Sequence, residues 1–156
     1  MKIVVFPLGC VITFAFSIPI VLAEVGPLSS KQKQEYATHI VTGTVQAIYS
    51  YDDTRRAGTV VDTRYVLEIN ITGIKKGKGL NKGEIVYARV WRAKRRPPNS
   101  VGASGHYIFP TKRGIGRPHL LSRGQNIRAF LQHRKNGGYD IVFPNGIEVL
   151  DAKNTN

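Results

Sequence analysis

The chain is nearly free of cysteine. Of its 156 residues, Cys10 alone is a cysteine, and it lies inside an apolar N-terminal segment. Disulfide frameworks, thiolate metal sites and cysteine nucleophiles are therefore excluded for the rest of the chain. A domain of this length can bury enough apolar surface to fold without such cross-links.

Acidic residues are scarce in the middle of the chain. Residues 75–135 include 16 lysines and arginines but a single acid, Glu84, and the whole chain has a formal net charge of +13. A field of one sign favours polyanionic partners, such as an acidic polysaccharide, a nucleic acid or an anionic surface, or else an acidic protein. Solubility alone is the alternative explanation for this charge.

Motifs for catalysis or metal binding are also missing. No zinc-ligand spacing joins the four histidines, His39, His106, His119 and His133. The sequence has no GxSxG element and no glycine-rich loop that ends in Lys-Ser or Lys-Thr. We therefore predict a protein that is not an enzyme and that uses no metal or cofactor. A small hydrolase with its site in a long loop is an alternative.

The N-terminus contains a long hydrophobic run. Met1-Lys2 precedes 21 mostly apolar residues that end in Val21-Leu22-Ala23, a suitable signal-peptidase site. Residues 1–23 are therefore predicted to be a signal peptide that directs export to a secreted, periplasmic or cell-surface location. A retained anchor is the alternative, because a run of this length can span a bilayer.

The remaining sequence predicts one all-β domain. Residues 24–38 are predicted to form a short leading segment and one short helix whose N-cap is Ser29 or Ser30. Alternating apolar residues predict strands at 39–49, 65–72, 85–91, 126–132, 139–143 and 147–150. Between them we predict loops at 52–58 and 75–83 and a long basic loop at 93–125, with a polar tail at 152–156. The domain at 39–151 is therefore predicted to be a small five- or six-stranded barrel.

Three segments resemble netrin-like domains, a family that includes the inhibitory domain of the tissue inhibitors of metalloproteinases. They are HIVTGTVQAIYS at 39–50, RYVLEINITGIKKGKGLNKGEIV at 64–86 and LQHRKNGGYDIV at 131–142. The resemblance implies an OB-type barrel. Those inhibitors chelate the protease zinc through an N-terminal cysteine, whereas this chain is predicted to begin at Glu24 after processing and then has no cysteine. The resemblance therefore implies the fold without the inhibitory chemistry.

The stretch VWRAKRRPPN at 90–99 places the sole tryptophan beside a run of positive charges. If Tyr87, Arg89 and Trp91 face outward, aromatic planes alternate with cations, as in sites for single-stranded nucleic acids or sugar chains. A shift of one residue would instead place Ile85, Tyr87 and Trp91 in the core. The usual burial of tryptophan favours this second register.

Pro97 and Pro98 donate no ladder hydrogen bonds, so the third strand should end before them and leave Lys94 to Arg96 in a loop. No acid lies nearby in sequence to relieve the repulsion among these charges, so a negative partner would relieve it. The predicted polyanion-binding residues are Arg89, Trp91, Arg92, Lys94, Arg95, Arg96, Lys112, Arg113, Arg117 and Arg123.

These observations predict an exported, non-enzymatic binding module with a basic face for a polyanion or an acidic partner at the cell envelope. An exported OB domain that binds single-stranded nucleic acid is the alternative binding function. Binding that weakens steeply with salt would support a polyanionic partner.

Overall fold

The structure is a computed structural model that describes residues 26–97, 105–106 and 121–150. Within these ranges the elements are α1 (Ser30–Tyr36), β1 (His39–Arg55), β2 (Val60–Lys76), β3 (Ile85–Arg95), β4 (Asn126–His133), β5 (Tyr139–Ile141) and β6 (Ile147–Val149). In this part of the chain, no helix is long and apolar enough to cross a membrane. The predicted signal peptide, the polar tail and most of the predicted loop 93–125 lie outside the described residues.

Five of the strands close into a ring. The order is β1-β2-β3-β5-β4, β4 pairs back to β1, and β6 pairs with β4 outside the ring. Only the pairing of β3 with β5 is parallel among the pairings of the described strands. Closure leaves fewer unpaired backbone groups than an open sheet would. The prediction of a small all-β barrel with one short N-terminal helix is confirmed.

Alternate side chains of the ring form the core. Leu67, Ile69 and Ile71 of β2 are at most 1% exposed, whereas Glu68 between them is half-buried on the opposite face. The same core cluster includes alternate residues of β3 and β4, namely Val86, Ala88, Val90, Ile127, Ala129 and Leu131. The alternation of apolar residues that predicts the strand at 65–72 therefore marks its inward face, on which Tyr65 is only half-buried.

Strand β1 pairs with β2 along one edge and with β4 along the other. Residues 39–44 pair with β4, while the β1–β2 ladder continues to Arg55 with three register shifts. At Gly43 a Cβ atom would lie 2.5 Å from the carbonyl oxygen of Asn70 and 2.7 Å from Cγ2 of Ile69. This close approach requires glycine, because any side chain would separate the two strands.

The first three strands are longer than predicted. The loop predicted at 52–58 is wrong, because β1 continues to Arg55 and only residues 56–59 form the turn. Strand β3 likewise continues through Lys94 to Arg95, so the predicted loop there is also wrong, although the strand does end before Pro97. Most side chains of β1 beyond Tyr49 are exposed. This part of the hairpin therefore lacks the apolar alternation by which a half-buried strand is predicted.

The helix α1 packs against the barrel through Lys33, its buried residue. As predicted, Ser29 caps it, in a capping box with Gln32. Lys33 is buried, where it pairs with Glu148 and lies over the ring of Phe130, 4.9 Å from the centroid. A buried lysine needs such a charged partner, so this contact fixes the helix on β4 and β6.

Candidate functional site

Aromatic side chains stand on the outer face of β1 and β3. Because Val86, Ala88 and Val90 point into the core, Tyr87 and Trp91 of β3 point away from it. The cross-strand pairs place two tyrosines of β1 on the same face. We call this surface the aromatic face and define it by Tyr49, Tyr51, Tyr87 and Trp91.

The register of the three strands fixes the geometry of the aromatic face. Tyr51 lies opposite Arg64 of β2, and Arg64 lies opposite Trp91. The three tyrosines are more than half exposed, at 54% for Tyr49, 61% for Tyr51 and 52% for Tyr87. Large apolar side chains exposed in a group on one sheet commonly mark a binding surface.

The register of β3 that the sequence favours, with Ile85, Tyr87 and Trp91 in the core, is wrong. Ile85 is 46% exposed and Tyr87 is 52% exposed, so neither packs in the core. Trp91 is half-buried, but neighbours outside the barrel wall bury it. Its ring lies parallel to that of Phe143, with 6.0 Å between the centroids and 4° between the planes.

Two arginines also contact the tryptophan. The guanidinium carbons of Arg64 and Arg96 lie 5.8 and 5.9 Å from the Trp91 ring centroid. At such distances a cation is attracted to the face of an aromatic ring. The indole is therefore held in a fixed orientation before any ligand arrives.

His106 joins this site to two strands through the backbone. Its backbone N–H donates to the carbonyl of Trp91 at 2.8 Å. Its ring Nε2 lies 2.9 Å from the carbonyl oxygen of Ile141, and Nδ1 lies 3.4 Å from the backbone nitrogen of Trp91. Nε2 therefore carries the proton and Nδ1 accepts, which is the arrangement of a neutral imidazole. With both nitrogens bonded to backbone, this histidine is not placed to act as a general base, as the hydrolase alternative would need.

Burial lowers the pKa of His106 below the usual histidine value of 6.5. The unfolded chain therefore takes up a proton at a higher pH than the folded protein does, so acidification through this range favours unfolding. We expect the free energy of unfolding to be fully retained above about pH 6.5 and to fall as the pH drops below it.

Chemical denaturation at a series of pH values tests this prediction. His106→Gln should be less stable near neutral pH, yet its stability should fall less steeply below about pH 6.5 than that of the parent. Equal slopes for the two proteins in this range would contradict a buried neutral histidine.

A cavity of about 540 Å³ opens beside Trp91. Its wall includes side chains of β1, β2, β3 and β5 and of the segments that follow β3 and β5, among them Tyr51, Asp53, Arg64, Arg89, Trp91, His106, Asp140 and Phe143. Its size lies within the usual range for sites that bind small molecules. The cavity thus combines aromatic planes with arginine–aspartate pairs.

Each arginine in the cavity wall is paired with a carboxylate. Nη2 of Arg64 lies 3.0 Å from Asp53, and Nη2 of Arg89 lies 2.8 Å from Asp140. Above the wall, Arg96 pairs with the buried Asp62. The lining is therefore close to neutral in charge, although Arg55 and Arg134, which do not line the cavity, lie 3.5 Å from the same carboxylates of Asp53 and Asp140.

No acid lies near Lys94 to Arg96 in sequence, but in the fold acids pair with Lys94 and Arg96, so the repulsion among these charges does not require a negative partner. Asp52, which β1 brings to β3 across β2, lies 2.5 Å from Nζ of Lys94. Hydrogen bonds from Lys94 and Thr63 lower the pKa of Asp52. The compensating acids come from the β1–β2 hairpin, which is distant in sequence but adjacent in the sheet.

The structure brings together only part of the predicted site. Arg89 and Trp91 line the cavity. The backbone of Arg92 forms an isolated antiparallel β-bridge with Gly105, and the side chain of Arg95 donates to the carbonyl of Gly58. Arg123 lies in the turn before β4 and does not line the cavity. Lys112, Arg113 and Arg117 lie outside the described residues.

Tyr51 does not belong to the site predicted from the sequence, and the alternation that predicts a strand at 39–49 puts Tyr49 on the inner side of that strand. The β1–β2 ladder gains one residue on β1 between Val45 and Ala47. Such a bulge exchanges the two faces of the strand that follows it, so strict alternation from Val41 puts Tyr49 on the wrong side. The hydroxyl of Tyr49 donates to Glu68 at 2.9 Å, and this bond raises the pKa of the tyrosine.

No group of three or more possible metal ligands occurs among the described residues. No family model matches the sequence, and neither a curated protein nor a solved structure matches it.

Proposed function

We propose that the chain is an exported, non-enzymatic binding module that holds a polysaccharide chain on its aromatic face. One observation is central to this proposal. Three exposed tyrosines and a fixed tryptophan share the outer face of β1 and β3, beside a cavity whose arginines are all paired with carboxylates. The apolar N-terminal pattern of residues 1–23 supports export.

The dimensions of the aromatic face suit an extended ligand. Tyr87 and Trp91 are four residues apart along β3, a distance of about 13 Å. Tyr49 and Tyr51 stand two strands away, at about 10 Å. A surface of this size accommodates several sugar rings, whose apolar faces stack on aromatic planes.

The charge balance favours sugar hydroxyl groups over a row of phosphates. A hydroxyl both donates and accepts, so it can bond to the spare N–H groups of Arg64 and to the carboxylate of Asp53 together. A nucleic acid backbone instead favours unpaired cations along its path. In the cavity wall, Arg64 and Arg89 are matched in number by Asp53 and Asp140, so the lining itself lacks that excess of positive charge.

The barrel is compatible with this proposal. OB-type barrels have five strands and bind oligosaccharides or oligonucleotides on the face of their second and third strands. The ring here also has five strands, and the aromatic face spans from β1 across β2 to β3. The resemblance to netrin-like domains stays a prediction.

Replacing Trp91 should weaken polysaccharide binding. We expect Trp91→Ala to reduce affinity at least about tenfold, the loss typical of an aromatic anchor. Affinity electrophoresis through gels that contain neutral glucans, chitin oligosaccharides or heparin would measure it. Tyr36→Ala is the matched control, because this tyrosine is 54% exposed but lies on α1, away from the aromatic face.

The same gels distinguish the alternatives. Binding to a neutral polysaccharide should change little with salt, since few counterions are released. Preferential binding of a single-stranded oligonucleotide, with a steep loss as salt rises, would replace our proposal with the nucleic acid alternative. Failure of Trp91→Ala to change any retardation would contradict the assigned face.

A further inference from the structure

A second surface with a different chemistry lies at the end of the barrel where β2 leads into β3. The end of β2, the β2–β3 turn and the adjacent helix α1 present exposed lysines, which we call the lysine surface: Lys31, Lys75, Lys76, Lys78 and Lys82. Lys31, Lys75 and Lys76 line one shallow groove between α1 and β2. None of these residues belongs to the binding surface predicted from the sequence.

The positive charges of the lysine surface are mostly uncompensated. Among the described residues, no ion pair joins Lys75, Lys78 or Lys82 to an acid. Glu35 is the acid in the groove, and Glu84 accepts a hydrogen bond from the backbone of Asn81 at 2.8 Å. The contrast with the aromatic face is clear, since every arginine in the wall of that cavity is paired.

The turn that holds these lysines is anchored at both ends. The backbone of Gly83 donates to Ile71 at 2.7 Å, and that of Ile71 donates to Glu84 at 2.9 Å. Nε2 of His39 lies 3.0 Å from the carbonyl oxygen of Lys78. The ammonium groups therefore project from a held backbone, which lowers the entropic cost of presenting them to a partner.

Two exposed apolar side chains stand at the ends of the segments that carry the lysines. Tyr36 ends α1 and is 54% exposed, and Ile85 begins β3 and is 46% exposed. Nζ of Lys76 ties the end of α1 to this surface, with contacts of 2.7 Å to the carbonyl oxygen of Gln34 and 2.5 Å to that of Ala37.

From this arrangement we infer that the lysine surface docks the protein on an anionic lipid bilayer. Compact, strongly hydrated ammonium groups act as point charges toward lipid phosphates and need no bidentate geometry. Tyrosine is favoured at the boundary between headgroups and hydrocarbon, because it has an apolar ring and a polar tip. A soluble polyanion would use the lysines but would gain little from Tyr36 and Ile85.

Sedimentation with phospholipid vesicles tests the inference. The protein, in the form recovered from an exporting host, should bind vesicles of phosphatidylcholine that contain phosphatidylglycerol more tightly than vesicles of phosphatidylcholine alone. Each lysine close to an anionic surface strengthens binding about fivefold, so Lys75→Gln, Lys78→Gln and Lys82→Gln together should weaken it about a hundredfold. Lys76 is left intact because it caps the helix.

A matched variant controls for net charge. The triple change Arg56→Gln, Arg95→Gln and Arg123→Gln removes the same charge from exposed sites elsewhere, two of which, Arg95 and Arg123, belong to the binding surface predicted from the sequence. It should weaken vesicle binding far less. Equal losses in the two triple variants would overturn the inference, since net charge alone would then explain binding. It would also be overturned if both kinds of vesicle bind equally, or if heparin is bound while anionic vesicles are not. Unchanged thermal unfolding of both variants would show that their folds are intact.

Discussion

Asp62→Asn should lower the free energy of unfolding by about 3 kcal/mol. The side chain of Asp62 is 3% exposed and pairs with Arg55 and Arg96, while Nη2 of Arg64 lies 3.8 Å away. An amide in its place leaves three guanidinium groups with Asp53 as their remaining carboxylate, 3.0 Å from Arg64 and 3.5 Å from Arg55. Removal of one partner from a buried ion pair costs about 3–5 kcal/mol, and the lower end applies because these arginines retain contact with water.

Asp52→Asn is the matched control for this experiment. Asp52 comes from the same hairpin and pairs with Lys94, but its side chain is 40% exposed and that of Lys94 is 61% exposed. Exposed ion pairs contribute little to stability, so urea denaturation should detect almost no change. If both variants lost the same stability, the buried cluster around Asp62 would have no special structural role.

The Asp62 cluster also links stability to the proposed binding site. Arg64 and Arg96 hold the Trp91 ring from their positions beside Asp62. Loss of the carboxylate should therefore make the Trp91 ring more mobile, together with the end of the β1–β2 hairpin that Arg55 anchors to Asp62. A shift in Trp91 fluorescence of the folded Asp62→Asn protein would report this change, and Trp91 is the only tryptophan in the chain.

The barrel could be predicted because its strands alternate apolar and polar residues wherever only one face of the strand is buried. Leu67, Ile69 and Ile71 follow that rule, and Gly137 and Gly138 mark the turn between β4 and β5. The hairpin arm from Asp52 to Arg55 could not be found in this way, because most of its side chains meet solvent.

The candidate site was harder to predict because it depends on contacts between distant strands. One extra residue between Val45 and Ala47 turns Tyr49 and Tyr51 outward, and alternation alone does not reveal a bulge. The run Lys94 to Arg96 looks like a basic patch in sequence. Its neutralising acids, Asp52 and Asp62, become visible only when the strands are paired.

Leu67→Ala should lower the free energy of unfolding by about 2–5 kcal/mol. The side chain is 1% exposed, and in the ladder Leu67 lies opposite Ile48 of β1 and Ala88 of β3. Truncation removes apolar contacts and leaves a cavity at the centre of the ring, where a closed barrel has little freedom to collapse around it.

Ile85→Ala is the matched control, because it removes a similar volume from a side chain that is 46% exposed. It should change stability by no more than about 0.5 kcal/mol. Urea denaturation of both variants compares the two faces of the barrel wall, since β2 presents Leu67 to the core while β3 presents Ile85 outward. A small loss for Leu67→Ala beside a large one for Ile85→Ala would reverse those faces. The aromatic face would then be the core, and the assignment of Trp91 to a binding surface would be wrong with it.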